Sequence, residues 1–334
     1  MQPAVLPAPT GPHPVVMTTR WLRDESRVDP WVPGVRELMI SLWYPATGDD
    51  HARYTEPGES EHFLRDAGIP GLPLDLIGHT RTHAYRAAGP PAPGLPLIVL
   101  SPGFTKPRWT LTSLAEDLAS HGYAVVAVDH TYENVGTAFP DGRITTCLAR
   151  EGRRGPEFWA KLAAGRAADV SFVLDSVVPV VDPAVVGMAG HSAGGASAPT
   201  AMVADPRIRA GVDIDGTTSS PLPESGLARP FLFLGKASNY TPGSGGAAAT
   251  WERDWRRMTG WKRWLLVDGA NHMSFTDVGL LAEQFGIGPP AARVSALTRR
   301  YVRAFFDQHL LDRPQPILDD PDDPEVIRCS PAPE

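Results

Sequence analysis

At 334 residues, 42% of them hydrophobic, the chain is long enough to bury a large core as one big α/β domain or two smaller ones. A net charge of −7 with no block of lysine and arginine argues against a nucleic-acid partner. No run approaches the ~20 apolar residues that a membrane-spanning helix needs, and two cysteines, Cys147 and Cys329, are too few for a disulfide framework.

The N-terminal Met1-Gln-Pro-Ala-Val-Leu lacks a basic stretch followed by an apolar one, so no leader is visible. The expectation is a cytoplasmic protein, or a secreted one whose leader has been removed. Residues 15–22 read as an edge strand, and 36–44, which alternate and stop at Pro45, as a second. Residues 46–94 are polar with Pro, Gly and His throughout, which fits a long surface loop holding one short helix. Residues 95–100 form a buried strand that runs into Ser101-Pro-Gly-Phe104. A helix over 109–121 stops at Gly122 and the strand 123–129 follows, a rhythm that signals a parallel sheet with crossover helices. After a loop or cap segment at 130–155, residues 157–178 carry Trp159, Leu162, Ala163, Ala167, Val170 and Val173 at helical spacing and predict a long amphipathic helix on the sheet.

The apolar run ending at Ala189 reads as a strand, and 196–204 as a small-residue helix able to lie close against a sheet. Between them stands Gly190-His-Ser-Ala-Gly194, the Gly-x-Ser-x-Gly pattern of a nucleophile elbow. Strands follow at 210–215, 231–235 and 261–268, with a Gly/Ala-rich loop at 241–249, a Trp-rich helix at 251–255 and a closing helix at 294–311. The whole reads as one domain over 1–311, a mostly parallel central sheet with helices on both faces and cap or loop insertions. Residues 312–334, dominated by Pro and Asp, read as an extended tail.

Ser192 is the candidate nucleophile. A serine hydroxyl is a poor nucleophile until a histidine takes its proton, and that histidine needs a carboxylate to fix its tautomer. On an elbow of this kind the chain order is serine, acid, histidine. Only His272 and His309 lie downstream; His309 falls inside the last helix, whereas His272 follows the final strand. The acid is usually sought after the strand 231–235, but 236–250 contains no Asp or Glu. One strand earlier, Asp215 stands nearest the carboxyl end, where ligand chemistry gathers in open parallel sheets. Asp215 is preferred to Asp213, and Asp268 and Asp277 remain weaker candidates. The oxyanion needs backbone N–H donors, for which Ala193, after the nucleophile, and Phe104, in the Pro-Gly turn, are the candidates. Trp109, Tyr132, Trp159, Met273 and Phe275 flank these loops and are candidates to line an acyl pocket; Tyr240 and Trp251 do so too. His121, His130 and His191 show no metal-site spacing and read as packing or turn residues. The glycines at 243–246 do not open a helix after a strand as a nucleotide site would. No metal or cofactor is expected.

With those residues placed, the chain resembles the α/β-hydrolase family related to platelet-activating factor acetylhydrolase. The likeness runs through Thr10-Gly-Pro-His-Pro-Val15, Ser41-Leu-Trp-Tyr-Pro-Ala46, Leu100-Ser-Pro-Gly-Phe104, Asp169-Val-Ser-Phe-Val-Leu-Asp175, Gly190-His-Ser-Ala-Gly-Gly195 and Asp213-Ile-Asp-Gly216. The resemblance implies an α/β-hydrolase fold, an acid at Asp215 and calcium-independent hydrolysis of short or oxidised acyl esters. The family's oxyanion loop often carries His-Gly where this chain has Pro102-Gly103. The expected function is a serine carboxylester hydrolase acting on short-chain or small-molecule esters. The alternatives are an acyltransferase or a lactone-forming or lactone-opening enzyme with the same three residues, and a non-catalytic binding protein on this scaffold.

Overall fold

The computed structural model describes residues 2–181 and 183–331. β1 (Val15–Val28) and β2 (Val35–Pro45) form a long antiparallel hairpin. The segment after it, expected to be a surface loop with one short helix, holds α1 (Glu59–Ala67) and adds a 3-10 turn at Leu76–His79 and the two-residue β3 (Tyr85–Arg86). Its scattered apolar residues have no period because they face no sheet. Tyr54, Phe63, Leu64, Leu76 and Ile77 pack with Trp109, Ala4 and Leu6 into a small separate core.

β4 (Leu97–Ser101) and β5 (Ala124–Asp129) are buried at every position, as parallel strands covered on both faces must be. A 3-10 turn at Arg108–Leu111 and α2 (Thr112–Ser120) connect them, and the short hairpin of β6 (Thr137–Ala138) and β7 (Ile144–Thr145) follows. Then come α3 (Pro156–Val181), β8 (Val186–His191), α4 (Ala193–Ala204), β9 (Ile208–Ile214) and β10 (Phe231–Lys236). α5 (Ala237–Tyr240), α6 (Gly246–Arg257), β11 (Lys262–Val267), α7 (Asp277–Gln284), α8 (Ala292–Leu310) and β12 (Val326–Cys329) complete the order.

Ten strands join in the order β12-β11-β10-β9-β8-β4-β5-β2-β1-β3. From β5 through β4, β8, β9 and β10 to β11 every neighbouring pair is parallel. α2 and α8 bury Leu114, Leu118, Leu297 and Phe305 against one face. α3, α4 and α6 bury Val173, Val177, Met202 and Trp251 against the other. This is an α/β-hydrolase architecture. After β4 the chain steps one way to β5 and later returns to place β8 on the other side of β4. Open sheets bind ligands at such a reversal, outside the carboxyl ends of the strands. Ser101 and His191 are the ends of those two strands.

The expectation of a separate tail needs correction. Residues 326–329 pair antiparallel with Trp264–Val267 of β11 and so belong to the main sheet, and Leu318 is buried. Pro and Asp on both sides of Val326-Ile-Arg-Cys329 hide a strand too short to show a period. Residues 332–334 of the expected tail lie outside the described residues. Both cysteines are free, Cys147 buried and Cys329 half-buried. Among the described residues no helix is long and apolar enough to cross a membrane.

Candidate active site

β8 turns into α4 through a single residue, Ser192, whose φ of 54° and ψ of −121° lie where a residue with a Cβ is rarely found. Such a conformation costs on the order of 1–3 kcal/mol and must be held by its surroundings. Here Ser192 N donates to Ile214 O (2.8 Å) and Ser192 O accepts from Ala196 N (2.8 Å). The turn closes only because its flanks are glycine: a Cβ on Gly190 would overlap the backbone of Gly194, and one on Gly194 the carbonyl of Ser101.

Asp215 follows β9, also at positive φ (56°), and its side chain is fully buried. Its Oδ1 accepts from Lys236 N (2.8 Å), and its Oδ2 lies 2.5 Å from His272 Nδ1. A carboxylate only accepts, so His272 carries its proton on Nδ1 and leaves Nε2 free to take one. His272 opens a 3-10 turn capped by Asn271, whose Oδ1 accepts from Met273 N (3.0 Å) and Ser274 N (3.1 Å). The imidazole itself stays 39% exposed. His191 Nε2 donates to His272 O (2.8 Å) from behind. Burial first, and then the neighbouring His272, push the His191 pKa well below its ordinary value, so it remains neutral.

Of the other candidate carboxylates, two are committed elsewhere and one is exposed. Asp213 Oδ1 accepts from Gly216 N (2.9 Å), and burial raises its pKa well above the ordinary value. Asp277 holds Ser113 and Tyr54 and is pushed up to about 7 by burial. Asp268 is exposed, and its N–H donates to Glu325 O.

Beyond Ser101 the Pro102-Gly103-Phe104 loop lies against the elbow: a Cβ on Gly103 would stand 3.3 Å from Ser192 Cβ. The loop is pinned by Thr105 N donating to Glu133 O (2.8 Å) and Lys106 N to Gly103 O (3.1 Å), bonds that leave the Phe104 N–H uncommitted. Ala193 is the first residue of α4, where a backbone N–H has no intrahelical acceptor.

Ser192, Ala193, Asp215 and His272 line one cleft of about 540 Å³. No hydrogen bond joins Ser192 Oγ to His272 among the described residues, and such bonds often tighten only with substrate bound. Of the aromatic residues expected at the pocket, Trp159 lines it. Trp109, 3% exposed, belongs instead to the small core, edge-on to Tyr54 and Phe63. Phe275 is buried in the main core, and Tyr132 and Met273 are half-buried away from the cleft. Trp251 packs in the core, and Tyr240 does line the cleft. Sequence reasoning missed Leu162, Ala163, Thr217, Ser219, Lys236 and Asn239. The available signal was position: all but the two on α3 lie at or just beyond the carboxyl ends of β9 and β10.

A second set lies just beneath. Ser101 Oγ meets His130 Nε2 at 2.9 Å, and His130 Nδ1 meets Asp169 Oδ2 at 2.8 Å. Arg36 and Arg27 also donate to Asp169 (2.6 and 2.8 Å). Burial alone would raise the Asp169 pKa, but Arg36 and His130 outweigh it and hold the carboxyl well below the usual range. Arg166 donates to Pro102 O (2.5 Å), Ser101 Oγ (3.3 Å) and Glu133 (2.8 Å). His191, Asp215 and His272 also gather ligand-type atoms within 4.8 Å of one another. His191 Nε2 and His272 Nδ1 are already spent in the hydrogen bonds described, so the grouping suits proton transfer better than an ion.

No protein-family model matches the chain. A protein of Arthroderma benhamiae named "Probable 1-alkyl-2-acetylglycerophosphocholine esterase" is 27% identical over 368 residues, 97% of this chain and 93% of the relative. Platelet-activating factor acetylhydrolase of Bos taurus is 26% identical over 218 residues, 53% of this chain and 49% of the relative. Among solved structures, a ferulic acid esterase from Streptomyces cinnamoneus matches with a TM-score of 0.88 and 42% identity, covering 98% of this chain and 100% of that one.

Proposed function

The chain belongs to the family of esterases akin to platelet-activating factor acetylhydrolase, and from that premise we propose that this hydrolase works through Ser192, His272 and Asp215 on esters of small or short acyl groups. Ser192 Oγ attacks the ester carbonyl while His272 Nε2 takes its proton. Asp215 holds the ring by Nδ1 and stabilises the imidazolium. The amides of Phe104 and Ala193 receive the oxyanion, a contribution worth about 3–4 kcal/mol for a single donor in comparable sites. The imidazolium then protonates the departing alcohol, and water, activated by the same nitrogen, releases the acid.

The observation that carries this reading is the 2.5 Å contact between buried Asp215 and half-exposed His272, on the cleft that the strained Ser192 enters. Open access at His272 favours water as the acceptor over a second alcohol or amine, which would call for a drier pocket. The volume suits compact acyl groups, and the names of the relatives, an acetylglycerophosphocholine esterase and a ferulic acid esterase, agree with acyl groups of that size. Initial rates on p-nitrophenyl esters of rising acyl length, with Ser192→Ala as the blank, test it. Ser192-dependent turnover with an optimum at short chains is expected. An optimum at long chains would overturn the substrate class, and turnover that survives in Ser192→Ala would overturn the mechanism.

A further inference from the structure

The cleft has two unlike sides. α3 supplies Trp159, Leu162 and Ala163, while the end of β10 and the segments after β9 and β10 supply Lys236, Thr217, Ser219 and Asn239. Lys236 ends β10, and its backbone N–H is bound to Asp215 Oδ1, so the root of the side chain is fixed beside the acid and imidazole.

The chain has four lysines. Lys161 donates to Pro30 O and lies over the Trp31 ring, Lys262 donates to Trp255 O and Met258 O, and Lys106 lies over the Phe63 ring. Lys236 alone has a side chain with no partner among the described residues, and no carboxylate within 4.0 Å of its ammonium. It is nonetheless near the chemistry: after burial and His272, Lys106 and Lys236 are the charges that depress the His191 pKa. Besides the imidazole of His272, the ionisable side chains lining the cleft are Asp215, Lys236 and Tyr240, of which Asp215 and Lys236 carry charge. Asp215 is buried behind the imidazole, so the charge offered to a ligand is positive, in a protein whose net charge is −7. An ammonium left unpaired at the edge of an apolar cleft gains most from a ligand anion, because a charge-assisted hydrogen bond replaces water only.

We propose that Lys236 is a specificity-determining residue that selects esters carrying an anionic group, a carboxylate or a phosphate, on the arm lying along the Thr217, Lys236 and Asn239 side. The other arm, flat or aliphatic, packs on Trp159 and Leu162. The proposal rests on the reading of the site given above. It goes further in fixing the charge of the substrate.

The test is kcat/KM on matched pairs of esters, each anion against its neutral methyl ester. Mono-p-nitrophenyl glutarate places the carboxylate on the acyl arm, 4-acetoxyphenylacetate places it on the leaving arm, and 4-acetoxyphenyl phosphate replaces it by phosphate. In the parent protein at low salt the anion should be favoured by about tenfold or more on one arm, and the preference should shrink as salt is added. Lys236→Met should bring the ratio to one or below, Lys236→Glu should reverse it, and Lys236→Arg should retain it. Because each ratio is internal to one variant, partial loss of folded protein does not disturb it. Preference for carboxylate, phosphate or both supports the proposal and identifies the anion. A ratio equal in the parent and Lys236→Met on every pair, or a parent that prefers the neutral esters throughout, overturns it. Ser192→Ala on the neutral esters keeps the two readings apart: turnover without Ser192 sinks the mechanism, whereas Ser192-dependent turnover with flat ratios sinks only the role of Lys236.

Discussion

Ser192, His272 and Asp215 have a near twin one strand away in Ser101, His130 and Asp169. Ser101 ends β4 opposite Gly190 of β8, and in both sets an aspartate oxygen meets a histidine Nδ1, at 2.5 and 2.8 Å. Their surroundings differ in every respect that matters to reactivity. His272 is 39% exposed, whereas Ser101, His130 and Asp169 are shut away from solvent. Asp215 spends its charge on one imidazole and one backbone N–H, whereas Asp169 shares its charge with Arg36 and Arg27. Ser192 stands strained at a helix start with spare amides nearby, whereas Ser101 lies within a strand and accepts from Arg166. The same three side chains thus stand open where donors and acceptors are left over, as the proposed mechanism requires, and lock together as a rivet where none are. The buried set ties β2, β4, α3 and the segment after β5 together beneath the Pro102-Gly103-Phe104 loop.

The comparison breaks most sharply at the serines. Ser192→Ala or His272→Ala should lower kcat/KM on a short p-nitrophenyl ester by roughly 10⁴-fold or more with the far-UV spectrum unchanged. Ser101→Ala should stay within about tenfold of the parent, since no substrate reaches it. Equal losses at both serines would dissolve the distinction.

The aspartates should part in kind rather than degree. Asp215→Asn is expected to keep its melting temperature and lose roughly 10⁴-fold in kcat, because the amide cannot hold the reactive tautomer. Asp169→Asn leaves Arg36 buried with half its partners and should cost about 3–5 kcal/mol in urea unfolding. An Asp169→Asn variant as stable as the parent would mean that the network holds nothing.

The smallest effect is the dependence on pH. Burial, and then Arg166, lower the His130 pKa, so the fold holds this imidazole neutral. Its contribution is fully present above the ordinary histidine value of ~6.5 and is lost as pH falls below it toward the lowered folded value, because the unfolded chain then binds the extra proton. Buried Asp277 and Glu116, both pushed up to about 7, work the other way, so the parent slope alone is ambiguous. Melting curves of His130→Gln against the parent isolate the effect. The variant, less stable at pH 8, should lose stability less steeply between pH 6.5 and 5. Parallel melting slopes would remove His130 from the account.

What was legible in the sequence follows from how locally each feature is written. The elbow is five adjacent residues, His272 follows a recognisable strand, and Asp215 emerged because 236–250 holds no acid. The buried set is invisible by the same standard, its bonds joining residues 29, 39 and 133 positions apart. Leu162 and Ala163 on α3 were missed for another reason: an apolar helical stripe looks alike whether it faces a sheet or, in its first turns, an open cleft. Trp109 and Phe275 show the converse. They adjoin site loops along the chain, but nothing in the residue type says which side of the loop a ring will take.

The sheet also has two margins, and they bear on how the protein behaves in company. One ends in four-residue β12; at the other, two-residue β3 covers only Val16 and Met17 of β1. The rest of β1 carries Arg20, Arg23, Asp24, Glu25 and Arg27. Unpaired strand edges invite a neighbouring copy to add its own ribbon, and brevity and charge are what discourage it. The architecture that opens a cleft at the middle of the sheet thereby keeps its borders unwelcoming, a colloidal safeguard against edge-to-edge aggregation when the protein is concentrated.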